Sequence, residues 1–189
     1  MYIARILYPV EVLGPGKRVG IWFAGCPRRC KGCSNPELWE RDERYHTSLA
    51  TVMHLIDSIA KAHKIDGFTL TGGDPMLQYD AVMMLLPYLK AYSHDILVYT
   101  GYRYEELPDV SGIAALIDGE YIEERNRFSP LFGSDNQRLF ILNEAYRLRY
   151  HRYLKALKNR PSPIQNFSAL DGHISLGIHR PHFLRTKET

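Results

Sequence analysis

All three cysteines of this 189-residue chain fall within one short segment, Cys26-Pro-Arg-Arg-Cys30-Lys-Gly-Cys33. A C-x3-C-x2-C spacing lets a single loop wrap three thiolates around one inorganic centre. An odd, clustered count does not suit a disulfide framework, which spreads paired cysteines along a secreted chain, and it points instead to metal or redox chemistry. A structural zinc site takes four protein ligands, normally as two separated pairs, and a conventional electron-transfer cluster takes four cysteines. Three thiolates on a cubane leave one iron open, and an open metal position distinguishes catalytic sites from closed structural ones. Arg28, Arg29 and Lys31 lie between the thiolates, where their charge is expected to lower the thiol pKa values and offset the negative charge of a cluster. On spacing alone, zinc completed by His46 or His54 remains open, as do three reduced cysteines that bind nothing.

Such a loop needs rigid elements to hold it. The apolar run VGIWFA at 19–24 predicts a buried strand that delivers the chain into the cysteines. Residues 48–62 place Leu49, Val52, Met53, Ile56, Ile59 and Ala60 on one helical face, with Thr47 or Ser48 available as N-cap. A second strand at 68–71 stops at Gly72-Gly73-Asp74-Pro75, and a helical pattern follows from about 78 to 92, which Pro87 should kink or end. Strands at 95–100 and 113–117 close on Gly101 and on Asp118-Gly119. This alternation predicts an α/β fold of right-handed βαβ units on a parallel sheet, with functional loops at the C-terminal ends of the strands. Without a Cβ, Gly72 and Gly73 suit a close approach of backbone to a ligand and a positive φ. Asp74 could position that turn or a ligand ammonium group; a plain βα turn with Pro75 in the first helical position is the alternative.

The charge divides near Leu142. Residues 1–142 hold 15 Lys and Arg against 18 Asp and Glu, whereas 143–189 hold 9 against 3, so the basic character belongs to the tail. A hydrophobic content of 45% suits one core, here a domain at 1–142 with a basic helical extension at 143–189 packed on it. The extension predicts a helix at 143–158, a loop at Pro161-Ser162-Pro163 and a strand at 173–179. Tyr146, Tyr150 and Tyr153 share one helical face, with Arg147, Arg149, Arg152, Lys155 and Lys158 around it. Such a helix either docks an acidic protein surface or nucleic acid, or packs its aromatic stripe on its own domain and solvates its charges. The latter is the expectation, and His173, His179 and His182 are expected at the surface or in packing. No run reaches the roughly 18 apolar residues of a spanning helix and no signal-peptide pattern opens the chain, so a cytoplasmic protein with no membrane partner is expected.

Taken together, the sequence resembles the radical S-adenosylmethionine (SAM) superfamily and, within it, the small activating enzymes of anaerobic (class III) ribonucleotide reductase. The likeness is carried, in order, by Tyr8-Pro9, Gly14-Pro15-Gly16-Lys17-Arg18, the cysteine loop with Asn35, Thr71-Gly72-Gly73-Asp74-Pro75, Thr100-Gly101-Tyr102, Asp118-Gly119 and Gly133-Ser134-Asp135-Asn136-Gln137. The cysteine loop paired with a Gly-Gly-Asp-Pro turn after the next strand is its most specific part. Gly32 and the Gly-Ser-Asp-Asn-Gln run point to the reductase activases. The resemblance implies a partial, open (β/α) radical SAM barrel, a [4Fe–4S] cluster on Cys26, Cys30 and Cys33, and SAM on the unique iron. It implies a SAM pocket of Gly32, Cys33, Ser34, Gly72, Gly73, Asp74, Thr100 and Asp118, with backbone of Gly73 and Asp74 on the amino group and Ser134 and Asn136 as further candidates. It also implies reductive cleavage of SAM by an electron from reduced flavodoxin or a similar donor, and a glycyl radical formed on a partner glycyl radical enzyme, the anaerobic ribonucleotide reductase. Radical SAM chemistry on another protein or small molecule is one alternative; a metal-binding regulator that uses the basic tail on nucleic acid is another, although nucleic acid is not an expected partner. Ser34 departs from the aromatic residue these activases carry there, and the likeness stops at about residue 139.

Overall fold

Strands β1 (Ile3–Val10), β2 (Arg18–Phe23), β3 (Gly67–Gly72), β4 (Ile96–Tyr99), β5 (Ala115–Asp118) and β6 (Arg138–Ile141) lie side by side in sequence order in one sheet. This is seen in a computed structural model that describes residues 1–127, 129, 131–157, 164–169 and 172–177. Strands β2 to β5 run parallel, while β1 joins β2 and β6 joins β5 antiparallel. The fold is mixed α/β with a mostly parallel central sheet. Both antiparallel edges were absent from the sequence expectation. β1 mixes Arg and Tyr into its apolar residues, and the four residues of β6 are all only half-buried, so neither shows the continuous apolar run of a central parallel strand.

Side chains alternate across the strands and divide the sheet into two faces. Ile21, Phe23, Phe68, Leu70, Ile96, Val98 and Leu116 pack on one face with two helices. α1 (Leu49–Ala62) starts at Ser48, whose hydroxyl accepts from the Thr51 N–H at 3.1 Å, and it buries Val52 and Ile56. α2 (Tyr79–Lys90) follows a short 3-10 turn at Pro75–Gln78. It does not end at Pro87 but continues for three more residues, because Leu85, Leu86 and Leu89 are buried on both sides of the proline. That burial outweighs the hydrogen bond the proline cannot make. Between β4 and β5 the connection holds only a 3-10 turn, Tyr104–Glu106, where strict βαβ alternation would place a helix.

The opposite face carries Trp22, Leu97, Tyr99, Ala115 and Ile117, and residues beyond 142 cover much of it. Asn143 caps a 3-10 turn that leads into α3 (Arg147–Leu157). Tyr150 is 1% exposed, and its hydroxyl donates to Asp95 Oδ1 at 2.8 Å. Burial pushes the phenol pKa up, so the group stays a donor. Asp95 also pairs with the fully buried Arg18 at 3.1 Å and with Arg149 at 3.3 Å. Arg18 in turn donates to Thr69 Oγ1 at 2.7 Å and to the Pro15 carbonyl at 3.0 Å. The Tyr153 hydroxyl donates to the Glu11 carbonyl and accepts from the Gly14 N–H. The tyrosine stripe therefore packs on its own chain, leaving Leu148, Arg152 and Lys155 exposed. The strand expected at 173–179 is β8 (Gly172–Leu176), paired antiparallel with an unexpected β7 (Gln165–Ala169). His173 is exposed on it. Lys158, Pro161-Ser162-Pro163, His179 and His182 lie outside the described residues. No described helix is long and apolar enough to cross a membrane.

The buried ion pair yields the first test. Asp95→Ala leaves Arg18 buried without its carboxylate and is expected to cost about 3–5 kcal/mol. Tyr150→Phe removes one hydrogen bond to a charged group and should cost about 1.5–3 kcal/mol. Urea denaturation midpoints at constant m-value check both.

Candidate functional site

β2 hands the chain to the cysteine loop through backbone contacts. The Gly25 N–H donates to the Leu38 carbonyl and the Cys26 N–H to the Trp39 carbonyl, each at 2.8 Å, so the segment returning from the loop holds its entry. The turn after β3 lies directly on this junction. Gly73 N–H donates to the Phe23 carbonyl at 2.7 Å, and Asp74 N–H to the Gly25 carbonyl at 2.8 Å. Gly72 has φ +106°, and a Cβ there would stand 2.4 Å from the Phe23 oxygen. A Cβ on Gly73 would stand 2.5 Å from the Gly25 oxygen and 2.8 Å from that of Leu38. The two glycines are thus needed for a close approach to protein backbone, in addition to any approach to a ligand. A ligand ammonium group only donates, so this turn can receive it only through carbonyl oxygens.

Asp74 is fully buried. Its Oδ1 accepts from Thr100 Oγ1 at 2.8 Å and from the Met76 N–H at 3.0 Å, and its Oδ2 accepts from the Gly101 N–H at 2.9 Å. Burial raises its pKa against the opposing pull of these donors and of Arg28. The carboxylate ties the turn after β3 to the turn after β4, so it positions the turn and does not stand free for a ligand.

One cleft at the C-terminal ends of the parallel strands brings together Cys26, Cys30, Cys33, Ser34, Gly72, Gly73, Asp74 and Thr100. Two of the expected pocket residues, Gly32 and Asp118, are not among those that line it. Gly32 has φ +70° and faces the Glu123 side chain. Asp118 is buried in an ion pair with Arg138 and accepts from the Tyr104 N–H at 2.8 Å; burial alone would raise its pKa, but Arg138 and that amide outweigh it and hold it low. Ser134 accepts from the Ile122 N–H and Asn136 donates to the Glu120 carbonyl, so both shape the loop after β5, whose Gly133 and Gln137 reach the cleft.

The three thiols are free and half-buried. The Asn35 N–H donates to the Cys33 sulfur at 3.4 Å, and backbone N–H groups of Arg28 and Arg29 pull the Cys26 pKa down, as that of Tyr121 does for Cys30. Amide donors aimed at thiolate sulfurs are how proteins support iron–sulfur clusters and tune their potential, so the donor set fits a cubane held by three cysteines. His46 and His54 are exposed and outside the cleft, so the geometry does not build the zinc alternative. Among the described residues no three His, Cys, Asp or Glu side chains converge tightly enough for one metal ion; a cubane, with its irons at separate corners, asks for wider spacing.

At Cys26 and Cys30 the expected lowering of the thiol pKa by neighbouring cations does not occur. Burial pushes Cys26 and Cys30 up, and the groups that pull them down are backbone N–H donors. The cations are engaged elsewhere: Lys31 lies 3.2 Å from both Glu123 and Glu124, Arg29 pairs with Glu40, and Arg28 lies 3.9 Å from Glu106 and 4.0 Å from Glu120. Arg28 also stacks on Tyr102, 4.6 Å from the ring centroid. Sequence reasoning missed Leu13, Trp22, Trp39 and Tyr99, which line the cleft, because aromatic and apolar residues near strands read as core. Alternation from Thr71 on β3 across to Tyr99 on β4 could have found the latter. Nothing in the spacing of 165–177 announced that Ser175, Leu176 and Gly177 also line it.

Residues 12–140 match the family model described as a 4Fe-4S single cluster domain. The chain is 34% identical over 142 residues to an anaerobic ribonucleoside-triphosphate reductase-activating protein of Enterobacteria phage T4, covering 71% of this chain and 90% of that protein. A protein of the same description from Escherichia coli K12 is 30% identical, over 69% of this chain and 92% of its own length. A pyruvate formate-lyase-activating enzyme of Listeria monocytogenes is 26% identical over 93% of this chain and 60% of that protein.

Gly73→Ala tests the backbone junction. The added methyl meets carbonyl oxygens and not a flexible side chain, so the cysteine loop must shift, at about 1–3 kcal/mol. Iron and sulfide retained after anaerobic reconstitution should fall severalfold while far-UV circular dichroism stays near that of the wild type.

Proposed function

The chain belongs to the 4Fe-4S single cluster domain family, and from that membership we propose that it is a radical SAM activase that installs a glycyl radical on an anaerobic ribonucleoside-triphosphate reductase. The observation that carries this reading is one cleft holding three cysteines beside a Gly-Gly-Asp-Pro turn, with no fourth cysteine anywhere in the chain. A [4Fe–4S] cluster held by Cys26, Cys30 and Cys33 would supply, when bound and reduced, the electron for reductive cleavage of SAM, the chemistry that would allow a hydrogen atom to be taken from the Cα of the partner's glycine.

The chain's own residues prepare this chemistry. Cys26, Cys30 and Cys33 hold the cluster, and the amides of Arg28, Arg29, Tyr121 and Asn35 stabilise charge on their sulfurs. Carbonyl groups of the Gly72-Gly73-Asp74 turn receive the SAM amino group, and Ser34 and Thr100 border the same space. Gly32 and Asp118 act indirectly, by shaping the cysteine loop and the turn after β5. The six-stranded sheet is the partial, open (β/α) barrel of this reading, with residues 1–142 as its radical SAM domain and 143–189 as a basic extension packed on it. A flavodoxin-like protein in the cytoplasm supplies the electron, and neither nucleic acid nor membrane takes part.

The test is anaerobic. Wild-type protein with a full cluster, dithionite and SAM should release 5′-deoxyadenosine and give the reductase a glycyl doublet in the electron paramagnetic resonance spectrum. Cys30→Ala should bring both to background. A fully loaded wild type that releases no 5′-deoxyadenosine in the presence of the reductase would overturn the reading. A glycyl signal on pyruvate formate-lyase but none on the reductase would move the partner to the other glycyl radical enzyme named among the relatives.

A further inference from the structure

The hairpin of β7 and β8 lies beyond the residues matched by the family model, which stop at 140, yet it forms part of the cleft. Its register sets Gln165 opposite Leu176 and Phe167 opposite Ile174, so these four side chains share one face of the hairpin. That face turns toward the domain. Leu176 is 4% exposed and belongs to an apolar cluster with Val10, Leu13, Trp22 and Leu38, with Phe167 and Ile174 packed alongside. Gln165 fastens the hairpin at two points: Nε2 donates to the Pro9 carbonyl at 2.7 Å, and Oε1 accepts from the Glu11 N–H at 2.9 Å. Leu38 links the same cluster to the cysteine loop, because its carbonyl accepts from Gly25. All three hairpin residues that line the cleft lie on or just after β8, and Ser175 among them is exposed.

We propose that this hairpin is a specificity wall of the reaction cleft. Leu176 closes one side of the cleft, so the wall leaves the reacting space to the partner's glycine segment and excludes hydrogen donors from solution. The wall itself rests on geometry; its consequence rests on the radical chemistry proposed above. When the wall is loosened, the hydrogen atom comes from a C–H or S–H donor in solution, such as a thiol reductant, and the radical is left on that donor. Each such event consumes one SAM and one electron from the reductant and releases methionine and 5′-deoxyadenosine without a glycyl radical.

The experiment uses the full-length chain with Leu176→Ala and Gln165→Ala. In cluster-free protein, acrylamide quenching of the two tryptophans, Trp22 and Trp39, should rise about twofold in both variants as cover over Trp22 is lost. With cluster, SAM and reductase, the ratio of 5′-deoxyadenosine to glycyl spins should rise about threefold or more in the same variants, since a closed site is what suppresses side reactions. Wild-type quenching or a wild-type ratio in both core variants would overturn the proposal. If wild type releases 5′-deoxyadenosine but puts no radical on the reductase, the functional reading fails while the quenching measurement still decides the wall.

Discussion

The geometry of the site depends on a place where two backbone segments come closer than any side chain would allow. The turn at Gly72-Gly73 lies on the end of β2, and two hydrogen bonds, from Gly73 to Phe23 and from Asp74 to Gly25, join it to the start of the cysteine loop. Gly25 and Cys26 are held in turn by the carbonyls of Leu38 and Trp39. Three stretches of chain are thereby welded by main-chain groups, which have no rotamers to lose and few ways to relax. The placement of the first thiol is inherited from this weld.

Around it the electrostatics are arranged by burial and by amides more than by side-chain cations. Asp74 is a buried carboxylate satisfied by three donors from two turns, so it acts as a bracket between β3 and β4. Basic residues of the cysteine loop are matched by carboxylates from the segment after Leu38 and from the loops after β4 and β5. These largely exposed pairs add little stability, but they leave the loop's cations matched by carboxylates and not by the thiols. The Asn35 N–H donates directly to the Cys33 sulfur, and backbone amides are what oppose the effect of burial on Cys26 and Cys30.

A second buried charge network supports the opposite end of the parallel strands. Arg18 and Asp95 are both fully buried, and Tyr150 of α3 completes the pair. A buried ion pair is a poor source of net stability, because desolvation offsets much of the attraction, but it penalises any packing that leaves one partner alone. Here it specifies how α3 seats on the sheet, and Gln165 then specifies how the hairpin seats on the connection between β1 and β2. The face of the sheet that carries the cleft is covered in this stepwise manner by the tail.

The signals legible in the sequence were local ones. Three cysteines at fixed spacing, a strand leading into them, a Gly-Gly-Asp-Pro turn after the next strand and a Ser-capped amphipathic helix each arise from contacts within a few residues, which composition and periodicity register directly. The tertiary structure alone decided what those pieces touch. The edge strands β1 and β6 carry no strong pattern and form because a neighbour offers them a ladder. The cations of the cysteine loop were expected to act on the thiols, but the fold brings carboxylates to them first. Leu176 reaches the cleft through a hairpin whose anchor, Gln165 to Pro9, joins residues 156 positions apart. Contacts of that range depend on chain closure and packing, to which a one-dimensional pattern is blind. The sequence by itself therefore determined the chemistry the loop can hold, and only the fold decided which walls enclose it.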